Sequence, residues 1–153
     1  MLNTTDQSLL EVLLDSWDRT NTVLLGLLRA LPEGGLRARA MQGSPTVAQM
    51  LTHVHACRLY AVAEDEPDPG RIEQLLRDSA GAVRDAVKGR VQAGRGTDLH
   101  YDHPALLLQH LIWHEGYHHG QIKLALKVTG RPVADEEAGP ATWDVWMHKT
   151  GAK

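Results

Sequence analysis

The sequence predicts an all-α fold, a four-helix bundle with a short C-terminal segment docked on it. Four segments carry apolar residues three and four positions apart, the spacing of one helical face. Proline and glycine separate these segments, and none shows the alternating pattern of a strand. With 42% hydrophobic and 23% charged residues, residues 1–153 are predicted to form a single domain with a sizeable core.

The first two helices are bounded by local start and stop signals. The first is predicted over residues 6–31, after a capping box at Thr4 and Gln7, and it stops at Pro32. The second is predicted to open at Ser44–Pro45, with serine as the N-cap and proline in the first helical position. Its apolar stripe consists of Val47, Met50, Leu51, Val54, Cys57 and Ala61.

The third and fourth helices each begin at a proline. The third is predicted to start at Asp68–Pro69 and to end at Gly94, and the fourth to run from His103–Pro104 to Gly130. The remaining residues, 133–153, contain the apolar run Trp143–Met147, which is predicted to be the docked segment. A bundle of this kind builds metal sites from side chains on facing helices.

The charge and the cysteine content limit which classes of binding partner and which cellular compartment are expected. Acidic residues outnumber basic ones, 19 to 16, so no basic surface for nucleic acid is expected. The single cysteine, Cys57, excludes an internal disulfide and fits a reducing compartment. No apolar run approaches the length of a membrane span, and the polar N-terminal residues do not resemble a signal peptide. We therefore expect a cytoplasmic protein with no membrane partner.

The fourth helix carries four histidines within ten residues, and two of them have the spacing of metal ligands. His114 and His118 lie four positions apart and so project from one face, about one turn apart. They fall within a stripe that the spacing predicts to be buried. This stripe consists of Leu107, Leu111, His114, His118, Ile122, Ala125 and Val128. A buried imidazole must satisfy both ring nitrogens, and metal ligation would do so. The alternative is a hydrogen-bonded pair of core histidines.

The second helix supplies the third predicted ligand, His53. It lies roughly 80° from the centre of the apolar stripe, whereas His55 lies roughly 120° away and is expected at the solvent edge. His110 is a rival, but three ligands on one helix would span about 12 Å, too far for one ion. His119 should point elsewhere, as a hydrogen-bond donor to a ligand. Loop or terminal positions are expected for the others: His100, His103 and His148.

The segment His114–His118 also matches the H-E-x-x-H motif of zinc peptidases, in which the glutamate is the general base. The extended form of that motif fails at Gln121 and Leu124. A downstream ligand from Glu136 or Glu137 is possible, but the chain offers no strand edge to hold a peptide. The peptidase is therefore the least favoured function, and Glu115 is expected at the periphery.

Two segments together resemble the signature of the DinB/YfiT-like superfamily. They are Pro45-Thr-Val-Ala-Gln-Met-Leu-Thr-His53 and His114-x-x-x-His118-His119-Gly120-Gln121-Ile122. The resemblance implies an up-down-down-up bundle that holds one divalent ion, nickel or zinc, through His53, His114 and His118. It also implies a homodimer. Other members are thiol-dependent transferases and isomerases that use bacillithiol or mycothiol. Arg58 departs from the family, in which many relatives have an acidic residue at this position.

Three imidazole ligands would leave an ion one open position, as in catalytic sites. The leading hypothesis is therefore a metal-dependent enzyme, a transferase or hydrolase, that acts on a small molecule with a low-molecular-weight thiol as co-substrate. The alternative is a non-catalytic, stress-related module whose ion ties two helices together.

The aromatic residues near the predicted metal ligands can be interpreted in two ways, and so can Cys57. The aromatic residues either line a cleft beside the metal or supply bulk to a core that lacks phenylalanine, and the second interpretation is favoured. These residues are Trp113, Tyr117, Trp143 and Trp146. Cys57, one turn from His53, either approaches the metal or is an inert core residue, and the inert role is favoured.

Overall fold

The computed structural model describes residues 4–98, 100–139 and 142–147. Its helices are α1 (Thr4–Arg29), α2 (Val47–Leu59), α3 (Pro69–Gln92), α4 (Pro104–Val128), α5 (Asp135–Ala138) and α6 (Trp143–Met147), with a 3₁₀ turn at Gly35–Arg37. Within the described ranges there is no strand. The predicted all-α fold with four long packed helices is therefore confirmed.

The helix packing makes α2 and α4 neighbours. Both α1 and α2 pack against α3 and α4, and α3 also contacts α4. Residues on the inner sides of α2 and α4 can therefore meet, although they are about 60 positions apart in the sequence.

Two clusters of buried apolar residues form the core. One cluster includes Leu51 of α2, Leu76 of α3 and Ile122 of α4. The other includes Trp17 of α1 and Leu111 of α4. Along α4, Glu115 lies between the residues of the two clusters, and it is itself buried.

The start of α2 differs from the prediction. Its N-cap is Thr46, not Ser44, and Pro45 is not a helical residue. The backbone N–H of Gln49 donates to Thr46 Oγ1 at 3.2 Å, and the backbone N–H of Thr46 donates to Gln49 Oε1 at 2.9 Å. This capping box satisfies two backbone donors at once, whereas Ser44 only closes the preceding turn onto the backbone of Met41.

The predicted starts of α3 and α4 are confirmed. Asp68 is the N-cap of α3, and its carboxylate accepts from the Gly70 amide at 3.0 Å. His103 is the N-cap of α4, and its Nδ1 accepts from the Ala105 amide at 3.1 Å. The predicted cap at Thr4 involves a side chain outside the described part of the structure.

The buried face of α4 is only partly the predicted one: Leu111, Ile122 and Ala125 of the predicted stripe are buried. The buried residues are Pro104, Leu108, Leu111, Glu115, Ile122, Ala125 and Leu126. His114 and His118 are half-buried at the edge of this face, and Val128 is exposed. The prediction placed Glu115 at the periphery, but Arg58 of α2 supplies a buried partner for its carboxylate.

Close to the C-terminus, α6 contacts α1, and Arg19 donates a hydrogen bond to the Val145 carbonyl oxygen. Among the described residues, none of the helices combines the length and the apolar character that crossing a membrane would require. His148 and Pro140 lie outside the described residues.

Candidate metal centre

Three imidazoles from two helices meet at the edge of the bundle. The ring centroid of His53, on α2, lies 5.4 Å from that of His114 and 4.9 Å from that of His118, both on α4. The His114 and His118 centroids are 4.5 Å apart. The structure thus brings together the three residues that the sequence singled out. His53 is exposed, and the other two rings are half-buried.

The atoms of these side chains that could bind a metal are also close to one another. His114 Nε2 and His118 Nε2 are 3.1 Å apart, and Cys57 Sγ is 3.4 Å from His53 Nε2. One ligand atom from each of His53, Cys57 and His114 lies within 4.8 Å of the other two. The described residues therefore contain a possible His–Cys–His metal-binding cluster, with His118 directly beside it.

Burial keeps two of these rings neutral. Burial, together with smaller contributions from the positive charges of His118, His53 and His110, lowers the pKa of His114 to about 4. Burial, with a smaller contribution from His53, also lowers the pKa of His118. At neutral pH both rings therefore offer a lone pair, as metal ligation requires.

Gln121 fixes the orientation of the His118 ring. His118 Nδ1 lies 2.8 Å from Gln121 Oε1, which can only accept, so Nδ1 carries the proton and donates. The lone pair of His118 is then on Nε2, the nitrogen that faces His114. Such a partner for the remote nitrogen is typical of metal-binding histidines. The sequence motif contained Gln121, but its role was not foreseen.

The alternative of a hydrogen-bonded core pair leaves one nitrogen unsatisfied. If His114 Nε2 donates to His118 Nε2, His114 Nδ1 stays buried with no hydrogen-bond partner among the described residues. Burying a polar atom without a partner costs free energy. The two histidines therefore do not satisfy each other fully.

Other described histidines lie apart from the cluster. His55 Nδ1 bonds to the Leu75 carbonyl at 2.9 Å, so it is tied to α3 and not free at the solvent edge. His110 bonds to the Tyr101 hydroxyl, and its centroid is 6.5 Å from that of His114. His119 lines a separate cavity of about 190 Å³ with Thr20 and Trp146, so it points elsewhere as predicted.

A buried ion pair behind the cluster was missed at the sequence level. Arg58 Nε and Nη2 donate to the Glu115 carboxylate at 2.6 and 2.8 Å, and the two residues are 3% and 1% exposed. Arg58 Nη1 also donates to Asn21 Oδ1, the Leu76 carbonyl oxygen and Ser79 Oγ. The guanidinium lies 4.8 Å from the ring centroid of Trp17. The network therefore joins all four long helices.

This ion pair overturns the predicted position of Glu115. Burial raises the pKa of Glu115, and the Arg58 charge opposes that shift. The carboxylate is bound by Arg58 inside the core and is not free to act as the general base of an H-E-x-x-H peptidase. One signal was available in the sequence: Arg58 follows Val54 by four positions and Glu115 follows Leu111 by four, which places opposite charges on two apolar faces.

The favoured interpretation of the aromatic residues as core bulk is wrong for three of them. Trp113 and Tyr117 are 64% and 55% exposed and stack with centroids 6.2 Å apart on the outer side of α4. Trp146 is also exposed, and Trp17 is the tryptophan buried in the core. The Trp143 side chain lies outside the described part. Because the Tyr117 ring is 5.2 Å from that of His118, the aromatic pair borders the cluster.

Cys57 is not a buried core residue. Its side chain is half-buried, and its sulfur lies against the His53 ring. Burial raises the pKa of the thiol, and the negative charge of Glu115 raises it further. The inert core role favoured from the sequence therefore does not describe its surroundings.

Comparison with known proteins supports the resemblance in the first two helices. The DinB family model matches residues 1–64, a range that contains α1, α2 and His53. No curated protein and no solved structure gives a significant match. His114 and His118 lie beyond the matched range. The match, which covers 64 of the 153 residues, supports a DinB-like family protein.

Proposed function

We propose that this protein is a DinB-like metalloprotein that binds one divalent ion, nickel or zinc, through His53, His114 and His118. One observation carries the proposal: imidazoles from two neighbouring helices converge although they are about 60 residues apart in the chain. The family resemblance supports an up-down-down-up arrangement of the four helices and a C-terminal segment docked on them.

The spacing of the nitrogens suits such an ion. Bonds of about 2.0–2.1 Å at a tetrahedral angle require the two nitrogens to be about 3.3 Å apart. His114 Nε2 and His118 Nε2 are 3.1 Å apart. The neutral His118 ring, which Gln121 orients so that its Nε2 lone pair faces His114, is a further feature that fits a metal ligand set.

The proposed activity is that of a metal-dependent transferase or hydrolase acting on a small molecule, with a low-molecular-weight thiol as co-substrate. A divalent ion held by three neutral imidazoles would lower the pKa of a bound water or thiol. The chain's own contribution is to hold the ligands in place and to keep the cluster accessible. His53, on the α2 side of the cluster, is exposed.

A second candidate is a non-catalytic, stress-related metal-binding module. It is favoured by the closeness of Cys57 to His53, because four protein ligands are typical of structural zinc sites. Turnover of a thiol co-substrate, lost in His118→Ala, would favour the enzyme over this module.

Elemental analysis of the purified protein tests the metal site. We expect one equivalent of nickel or zinc in the wild type and little in His53→Ala or His118→Ala. His110→Ala is the matched control, since His110 is on α4, one turn before His114, and is bonded to Tyr101. Retention of the ion in His53→Ala would contradict the proposed ligand set.

We also propose that the protein is a cytoplasmic homodimer with no nucleic-acid or membrane partner. The outer face of α4 exposes a row of large apolar residues: Leu106, Trp113, Tyr117, Leu124 and Val128. A helix that is apolar on both faces is usually covered on both. Leu124→Glu should convert dimers into monomers in light scattering, whereas Gln109→Glu, on the exposed side of the same helix, should not. A wild-type monomer would refute the dimer.

A further inference from the structure

Two pairs of potential ligands face each other across α2 and α4. His53 and Cys57 are four residues apart on α2, as His114 and His118 are on α4. Residues with this spacing project from one side of a helix, about one turn apart. Each helix therefore contributes two potential metal-ligand atoms to the same edge of the bundle. Together they are three nitrogens and one sulfur.

The measured separations match two edges of a tetrahedral site. Zinc bonds of about 2.0–2.1 Å to nitrogen and 2.3 Å to sulfur require N···S separations of about 3.6 Å and N···N separations of about 3.3 Å. Cys57 Sγ and His53 Nε2 are 3.4 Å apart, and the Nε2 atoms of His114 and His118 are 3.1 Å apart. One pair lies on each helix, so the two observations are independent.

A simple hydrogen bond does not account well for the position of the sulfur. Cys57 Sγ is 3.4 Å from His53 Nε2 and 3.7 Å from His53 Nδ1, so it is nearly equidistant from the two nitrogens. A directed hydrogen bond would favour one nitrogen and its lone-pair direction, and so would a bound ion, so ion binding requires the His53 ring to turn until one nitrogen faces the sulfur side of the cluster. Core packing does not account for the position of the sulfur either, because Cys57 is absent from both apolar clusters among the described residues.

We propose that Cys57 is the fourth protein ligand of the metal centre, which then has three imidazoles and one thiolate. The inference rests on the proposed metal site. When the ion binds, the sulfur–hydrogen bond is lost, the proton passes to solvent and a sulfur–metal bond forms, with no change in oxidation state. A mixed nitrogen and sulfur set favours zinc and similar ions over magnesium or calcium. A thiol co-substrate would reach the ion either as a fifth ligand or by replacing Cys57.

Cobalt(II) is the probe, because thiolate ligands give it a charge-transfer absorption in the near ultraviolet that imidazoles do not. Cys57 is the only cysteine in the sequence, so such a band reports this residue alone. We expect one equivalent of cobalt and the band in the wild type and in His110→Ala. Cys57→Ser should keep the cobalt and lose the band.

The outcomes separate this inference from the proposed function. If cobalt binds in a manner that depends on His53 but gives no thiolate band, the three-histidine site stands and the role of Cys57 is refuted. If the wild type binds no cobalt, zinc or nickel, both fail. An independent readout is alkylation of Cys57 by a thiol reagent, which saturating zinc should slow at least tenfold. An unchanged rate would also overturn the inference.

Discussion

Replacing either member of the Arg58–Glu115 pair is predicted to be among the most damaging single substitutions in this chain. Arg58→Met leaves the Glu115 carboxylate buried without its partner. It also removes the donors to Asn21, Leu76 and Ser79. Removing one partner of a buried ion pair costs about 3–5 kcal/mol. Because a domain is stable by only about 5–15 kcal/mol, this is a large share of the total.

Glu115→Gln should cost less than Arg58→Met. The arginine charge stays buried in this variant, but it keeps three neutral acceptors and its position over the Trp17 ring. The double variant Arg58→Met/Glu115→Met carries no buried charge, and pairs replaced in this way are often neutral or more stable. We therefore expect the double variant to recover most of the stability that Arg58→Met loses.

Urea unfolding followed by circular dichroism measures these differences, with a chelator present so that metal binding does not contribute. For a chain of this size, 3–5 kcal/mol corresponds to a fall in Tm of roughly 6–20 °C. If Arg58→Met lowers the free energy of unfolding by less than about 1 kcal/mol, the two buried charges do not depend on each other as proposed. Additive losses in the double variant would refute this dependence as well, because additivity indicates that two residues do not interact.

Two further predictions concern His118, the proposed ligand that Gln121 orients, and the surface ion pairs of Glu73. Gln121→Ala frees the remote nitrogen of His118, so metal affinity should fall about 10–100-fold in a competition titration, and an unchanged affinity would contradict the role of Gln121. Hydrogen bonds from Arg29 and Arg77 lower the pKa of Glu73 to about 2. This contribution to stability is complete above the ordinary glutamate pKa and is lost as the pH falls towards 2. Glu73→Gln should therefore cost up to about 1 kcal/mol at pH 7 and progressively less between pH 4.5 and pH 3 in urea unfolding, and a constant difference would refute the assignment.

Local signals explain why the four long helices were predictable. Asp68 and His103 each precede a proline, and both are N-caps in the structure. At α2 two start signals overlap, Ser44 before a proline and Thr46 three residues before a glutamine. The second signal prevails because Thr46 and Gln49 satisfy two backbone donors reciprocally. The sequence contains both signals and does not rank them.

The rotation of α4 was harder to predict because its apolar residues surround the axis. Trp113, Tyr117 and Leu124 lie on the outer face, whereas Leu108 and Ile122 lie on the inner one, so periodicity alone leaves the buried side ambiguous. The partner that decides it, Arg58, is 57 positions before Glu115 and belongs to another helix. The convergence of His114 and His118 with His53 was predictable despite this error, because the spacing of four between the two α4 histidines does not depend on the rotation of the helix.

The ion pair and the proposed metal ligands are adjacent in sequence on both helices, and this adjacency connects stability to the proposed site. Cys57 precedes Arg58, and His114 precedes Glu115, so each ligand lies about 100° around the axis from a buried charge. We expect the bidentate ion pair to fix the rotation of α2 and α4 together and so to direct the proposed ligands to one edge. The double methionine variant should thus fold stably yet bind the ion about tenfold more weakly, a coupling of about 1.4 kcal/mol. Wild-type affinity in that stable variant would show that apolar packing alone sets the rotation of the two helices.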